Sequence, residues 1–156
     1  MAFLNEFSSD KSKMLQLFLS DREFVDIVTS STNRPIPDLS LRYSQVFPYS
    51  WIPGTATETK TFVCFDVDVP RVITSAIKDV QLSVWGFTHE SLMRTSTGTR
   101  TDILASRIDE LLNGSSGFGA GQVELKSVGR INPATNFYGR QLIYLVKDFN
   151  RLVCAS

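Results

Sequence analysis

The sequence predicts an α+β fold, in which a mostly antiparallel four- to five-stranded sheet is packed by a central helix. Three observations predict it. The second half of the chain has four segments with the period-two alternation of strands, one helical segment between them, and short connections. Short connections favour antiparallel pairing of consecutive strands. N-terminal helices and a long irregular arm precede this frame.

The 156 residues are predicted to form a single domain, 1–156, which is long enough for a hydrophobic core. Its parts are the N-terminal helices (11–28), the irregular arm (29–58) and a ββαββ core (59–150). Lys+Arg and Asp+Glu number 16 each, so the formal net charge is zero. This balance argues against a dedicated nucleic-acid binder, which normally carries a basic excess or stripe, and favours association with proteins.

Apolar residues recur at helical spacing from Met14 to Val28, with Asp21 as the polar exception on that face. Ser20 and Glu23 have the spacing of a capping box. The pattern therefore predicts two short helices, about 11–19 and 21–28, with a break at Ser20. One bent helix is the alternative.

The arm contains several prolines, but its second half is too apolar for a free linker. The apolar residues there are Tyr43, Phe47, Tyr49, Trp51 and Ile52. Two interpretations stay open. The arm lies across its own domain or a neighbouring subunit as a contact, or it is simply part of the core packing within the chain.

Residues 59–69 and 78–89 alternate as strands, and Pro70 is predicted to end the first. The loop 71–77, which begins with Arg71, is predicted to be a connection rather than a tight hairpin turn. Large side chains occupy both faces of the second strand. We expect one face to meet a helix and the other face something else, such as another subunit.

The central helix is predicted from an apolar stripe at i, i+4, i+7 and i+8: Leu104, Ile108, Leu111 and Leu112. Thr99 or Thr101 is its expected N-cap, and Asn113-Gly114 its end. A flexible loop from Gly114 to Gly121 follows, with Phe118 inside it. Two more strands, 122–130 and 137–149, are predicted around a connection at 132–136. The last strand is apolar on both faces and is expected to be central.

No set of residues in the sequence forms a convincing catalytic or metal-binding pattern. Asp66 and Asp68 share a strand face and, with Glu124, suggest the carboxylates of a metal-dependent nuclease, although paired acids at a strand end are typical of a solvated edge. The single histidine, His89, has no partners spaced for zinc or for a catalytic triad. The glycine loop lacks the lysine of a phosphate-binding loop. We therefore expect no catalytic residues, no metal and no cofactor, and a protein that is not an enzyme.

The two cysteines, Cys64 and Cys154, fit no metal or redox spacing. Reduced structural cysteines are the prediction, and a disulfide in an exported protein is the alternative. The N-terminal residues lack the order of a signal peptide, and no segment has the length of a membrane span. We expect synthesis in the cytoplasm and no membrane partner.

Several segments in order resemble the small neck proteins of long-tailed bacteriophages. They are the helix from Leu19-Ser20-Asp21 to Val28, the proline-rich arm, the strand TKTFVCFDVD, the helix beginning Arg100-Thr101-Asp102, the glycine loop, and the closing Val146-Lys147-Asp148-Phe149-Asn150. The order α, β, β, α, β, β is similar to the tail terminator (head-to-tail joining) fold. The resemblance covers the chain from about Leu15 to Asn150.

The resemblance implies a structural virion protein of the neck, at the head-tail junction. Such a protein forms a ring, usually a homohexamer, that caps the tail tube protein and joins it to the head-side connector or stopper protein. DNA passes through the lumen without sequence-specific binding. The expected contacts are the arm aromatics, Arg71 and the glycine loop: Tyr43, Phe47, Tyr49, Trp51, Arg71, Gly114, Phe118 and Gly121. A head-closure or minor capsid connector protein is the alternative.

Overall fold

A computed structural model describes residues 6–29, 42–53 and 60–149 of the chain. Two helices come first in the chain, and a third helix lies in the second half, between strands. A short 3-10 helix, Glu90–Leu92, and a two-stranded ribbon precede α3. The elements are α1 Glu6–Leu19, α2 Arg22–Thr29, β1 Val46–Phe47, β2 Thr61–Val72, β3 Ile77–His89, β4 Arg94–Thr95, β5 Gly98–Thr99, α3 Arg100–Leu112, β6 Glu124–Ala134 and β7 Phe137–Phe149.

The main sheet has five strands in the order β1-β2-β3-β7-β6. Strands β2, β3, β7 and β6 are each antiparallel to their neighbours, and the short β1 is parallel to β2. The predicted α+β class and mostly antiparallel sheet are confirmed. The closing strand β7 lies between β3 and β6, which confirms its predicted central position and explains its apolar residues on both faces.

All three helices contribute to the core on one face of the sheet. The predicted stripe of α3 is confirmed, since Leu104, Ile108 and Leu112 are fully buried. The sheet supplies alternate residues of its three inner strands, as period-two geometry requires. These are Val63, Phe65 and Val67 on β2, Val80, Leu82 and Val84 on β3, and Leu142, Tyr144 and Val146 on β7.

A second, smaller core lies on the opposite face, where residues 42–53 of the arm cover one end of the sheet. The ring of Phe47 stacks on Trp51 with centroids 4.3 Å apart, and Trp51 lies over Phe62 at 4.7 Å. Phe87 and Phe137 complete this cluster. Phe47 and Trp51 thus pack within the chain, as one of the two interpretations of the arm predicts. Tyr43, Tyr49 and Ile52 are exposed, so that interpretation does not extend to them. Residues 30–41 and 54–59 lie outside the described residues.

The break between α1 and α2 is where it was predicted, but the capping residue is different. Asp21 Oδ2 accepts a hydrogen bond from the backbone N–H of Phe24 at 2.9 Å, so Asp21 caps α2. The hydroxyl of Ser20 instead donates to the carbonyl of Gln16 at 2.6 Å. The capping-box assignment to Ser20 was wrong. Asp21 takes the capping position because its carboxylate is also held by a charged partner on α3.

That partner is Arg107, which holds Asp21 through a two-pronged ion pair. Its Nε and Nη2 atoms lie 2.9 and 2.6 Å from the two carboxylate oxygens of Asp21. The hydrogen bond from Arg107, together with the backbone N–H of Phe24, holds the pKa of Asp21 below its ordinary value against the opposing effect of burial. One carboxylate thus starts α2 and ties it to α3.

Two connections differ from their predictions. Pro70 lies within β2, which continues to Val72 across a bulge between Asp68 and Arg71; a bulge at an outer strand accommodates the missing N–H of proline. Residues 73–76 then form a compact hairpin turn, with the N–H of Ile73 donating to the carbonyl of Ile77 at 2.9 Å. The prediction that 71–77 is a connecting loop rather than a tight hairpin turn was wrong.

Strand β6 extends past its predicted end to Ala134, and a turn of two residues joins it to β7. Asn136 has a φ of 66°, a left-handed conformation that asparagine tolerates in tight hairpins. The cap of α3 is Thr99 by position, although its side chain makes no capping hydrogen bond. Among the described helices, none is long and apolar enough to cross a membrane.

Two glycines allow the close packing of α3 and of the central strands. A Cβ added to Gly86 of β3 would lie 2.9 Å from Cδ2 of Leu104, at the point where α3 meets the sheet. A Cβ added to Gly139 of β7 would lie 2.1 Å from the carbonyl oxygen of Gly86. A flexible side-chain tip can shift, but a strand backbone cannot shift without breaking its pairing.

We expect Gly139→Ala to lower the free energy of unfolding by roughly 3 kcal/mol or more, at or above the upper range for overpacking. Gly129→Ala on β6 is the matched control, because no atom lies within 4 Å of its added Cβ. Urea denaturation followed by circular dichroism measures both. Equal stability of the two variants would contradict the close approach of β3 and β7.

We expect Asp21→Asn to lower the free energy of unfolding by about 2 kcal/mol at pH 7, because asparagine keeps the cap but not the charged partner of Arg107. The depressed pKa of Asp21 gives the sign of the pH dependence. The stabilisation is complete above the unfolded-state pKa of about 3.9 and is lost as the pH falls through the lower folded-state pKa.

The difference between wild type and Asp21→Asn should therefore be constant from neutral pH to about pH 5 and should shrink below about pH 4. Glu110→Gln is the control, since Glu110 also contacts Arg107 but is largely exposed, and its loss should cost less than about 0.5 kcal/mol. A difference that persists unchanged at low pH would show that the carboxylate charge is not responsible.

Candidate interaction surfaces

The carboxylates suggested for a nuclease are not brought together. Asp68 lies opposite Gln81, Gln81 opposite Leu145, and Leu145 opposite Glu124, so two strands separate the two acids. At about 4.8 Å per strand, that separation is about 14 Å. Asp66 is paired with Lys11, whose Nζ lies 2.9 Å from its Oδ1. Within the described ranges, no group of three or more potential metal-ligating side chains is found.

The two other reactive side chains have structural environments. His89 ends β3, where its Nδ1 accepts a hydrogen bond from the N–H of Ser91 and its ring lies edge-on to Phe137. Cys64 is a free, buried thiol, and burial raises its pKa to about 11. It stays protonated at neutral pH and behaves as a small apolar side chain, as predicted. Cys154 lies outside the described residues.

The arm residues predicted as contacts divide into two groups. Phe47 is 3% exposed and Trp51 is half-buried in the second core, so Phe47 has almost no surface left for a partner. Tyr43 is 61% exposed and Tyr49 is also exposed, with ring centroids 6.3 Å apart. Ile52 is also exposed. The sequence pattern cannot distinguish the buried arm residues from the exposed ones, because the arm has no regular periodicity.

The hairpin between β2 and β3 forms a second surface at the far end of the sheet. Arg71 is exposed there, opposite Asp79. Two apolar side chains that were not predicted as contacts, Val72 and Phe149, are also exposed. The sequence could have predicted this exposure, because both residues end their strands. A strand that extends beyond the helices packed on it leaves its last apolar residues uncovered.

The glycine loop is anchored to the domain at several points. The N–H of Gly114 donates to the carbonyl of Val123 at 2.7 Å, and the N–H of Ala120 donates to the carbonyl of Lys147 at 2.9 Å. Phe118 is 5% exposed and belongs to the main core. Lys13 Nζ donates to the carbonyl of Gly117 at 2.6 Å. Gly114 and Gly121 remain exposed, whereas Phe118 has little surface to offer.

Both edges of the main sheet present unpaired backbone among the described residues. On one side, β1 covers β2 only at Val63 and Cys64. On the other side, β6 is the terminal strand, and most of its residues are exposed on both faces; the side chain of Val128 is 50% exposed. A strand that is uncovered on both faces has little apolar burial to hold it in place in a lone subunit.

The family model YomW matches residues 15–146. The name is that of an SPbeta-type prophage protein, which indicates a phage-associated protein. A comparison with curated proteins gave no match.

Proposed function

This chain belongs to the YomW family, and from that membership and its fold we propose that it is a structural, non-enzymatic protein of the phage neck. In this proposal it is the tail terminator, a ring of identical subunits that caps the tail tube. Its partners are further copies of itself in a hexamer, the tail tube protein and the head-side connector or stopper protein. DNA crosses the lumen without sequence-specific contacts.

The observation that carries the proposal is the direction of the two free sheet edges. Strands β2, β3, β7 and β6 alternate in direction, so β2 and β6 run opposite to one another. If the β6 edge of one subunit meets the β2 edge of the next, the continued sheet is antiparallel across the junction. The two edges are different surfaces, and a head-to-tail contact of this kind generates rings when its rotation closes.

The exposure of β6 supports the same arrangement. Val128 and the backbone around it would gain both a pairing strand and apolar cover from a neighbour. Lys126, Arg130 and Pro133, together with two bulges, interrupt the edge at intervals. Such features limit uncontrolled pairing, so they favour a defined neighbour over open aggregation.

The remaining exposed contacts suit the rings above and below. Tyr43 and Tyr49 on the arm, Arg71 on the hairpin, and Gly114 and Gly121 on the glycine loop are the proposed sites. The balanced charge of the chain suits protein partners more than a DNA surface.

We expect the protein to form a ring, alone or with tail tube protein, whose mass native mass spectrometry measures. Val128→Glu should abolish the ring while leaving the subunit folded, because a buried unpaired charge is costly at an interface but not on an exposed strand. Ser106→Glu, an exposed position on α3, is the matched charge control and should still assemble. A folded wild-type monomer that never forms a ring with tail tube protein would contradict the terminator role.

Electron microscopy of phage particles assembled without the protein distinguishes a tail terminator from a head-closure or connector protein. Overlong or headless tails are the expected result, because a missing terminator leaves the tail tube uncapped. Filled heads that leak DNA would instead indicate a head-closure or connector protein. Normal particles would exclude both.

A further inference from the structure

A cleft of about 540 Å³ lies between the N-terminal turn of α3 and the adjoining ends of β6 and β7. Its walls combine apolar side chains with two arginines. Tyr138 provides apolar surface from β7, and Met93 provides it from the segment before α3. This cleft is separate from the arm, the hairpin and the glycine loop, and it shares Arg130 with the β6 edge.

The two arginines of the cleft face one another across the strands. Arg130 of β6 and Arg140 of β7 are direct antiparallel partners, a position in which like charges repel and destabilise the sheet. Asp102 relieves only part of this repulsion, with its Oδ1 2.9 Å from Nε of Arg140 and more than half of its side chain exposed. Arg130 has no acidic partner among the residues that the structure describes.

We propose that this cleft binds a carboxylate side chain from an acidic segment of a protein partner. A guanidinium presents two parallel N–H donors that match a carboxylate, and such charge-assisted pairs are the stronger class of hydrogen bond. A partner carboxylate placed against Arg130 would join Asp102 in neutralising the two positive charges of Arg130 and Arg140. The methylene groups of a glutamate contact Tyr138 and Met93.

The charges around the cleft favour an acidic protein segment over a nucleic acid. A DNA or RNA backbone is bound by a series of cations that neutralise successive phosphates. The cleft offers two, and the carboxylate of Asp102 at its rim repels a continuous phosphate chain. The chain as a whole carries no net positive charge to add to their attraction for a nucleic acid.

This site does not depend on the terminator role. It requires only that the folded subunit meets a protein with an exposed acidic segment, so a failure of ring formation leaves it standing. Arg140 lies on the inner strand β7, so its replacement removes part of the site and leaves the edge pairing of β2 and β6 unaffected. Arg130 itself lies on the β6 edge. The test therefore uses the binding of a free peptide by the subunit.

The probe is a fluorescein-labelled deca-glutamate peptide, and the measurement is fluorescence anisotropy at low and at physiological ionic strength. We expect wild type to bind it and Arg130→Gln to bind at least roughly tenfold more weakly, as loss of a charged hydrogen bond predicts. Arg130→Lys should also weaken binding, because lysine keeps the charge but not the two parallel donors. Arg140→Gln should have a similar effect.

Arg22→Gln is the matched control, since it removes one exposed arginine at the start of α2, outside the cleft and outside the proposed contacts, and should bind as wild type does. Thermal denaturation of each variant establishes that it is folded; Arg130 is exposed, so its replacement should leave stability nearly unchanged. Equal weakening by Arg22→Gln, unchanged binding by Arg130→Gln, or no binding by wild type would each overturn the proposal. Tighter binding of a deca-thymidine oligonucleotide than of the peptide would also overturn it, in favour of a nucleic acid.

Discussion

Helix α3 packs against the sheet at Gly86, and the rest of the structure depends on that contact. The absence of a side chain at Gly86 lets Leu104 approach β3, and the stripe that follows it is fully buried. The buried hydroxyl of Tyr144 on β7 donates to Asp109 of α3 at 2.9 Å, and burial together with this bond raises the pKa of the tyrosine. A polar group in the core is thereby satisfied, and it sets how α3 lies along β7.

Two arginines of α3 then hold the N-terminal helices in place. Arg107 engages the carboxylate that caps the start of α2, and Arg100 donates to the carbonyl of Ile27 near the end of α2, with an Nη1 to oxygen distance of 3.1 Å. A cation near the C-terminus of a helix is favourable because the last carbonyls have no partner within the helix. Both ends of α2 are therefore fixed by one neighbouring helix, and α1 and α2 cover the same face as α3.

Placing every helix on one face has a consequence for assembly. Among the described residues, the arm covers the opposite face at one end of the sheet, and most residues of β6 are exposed. The subunit therefore has open backbone on two edges that run in opposite directions, together with exposed tyrosines and hairpin residues at the ends of the sheet. A subunit with this distribution of surface suits a ring in which each copy uses two different edges.

The sequence by itself determined the class of fold, the period-two strands, the stripe of α3 and the break between α1 and α2, because these depend on local periodicity and on turn residues. It could not determine which arm aromatics are buried. Phe47 and Tyr49 are two residues apart in an irregular segment, and only packing against Phe62 separates them. It also assigned the cap to Ser20, since the competing partner of Asp21 lies on a helix far along the chain.

Only the tertiary structure decided how the distant residues combine. It separated Asp68 from Glu124 by two strands, anchored Phe118 in the core, and placed Arg130 beside Arg140. The physical reason is the same in each case. Strand order and register depend on how whole faces pack together, and no single segment contains that information.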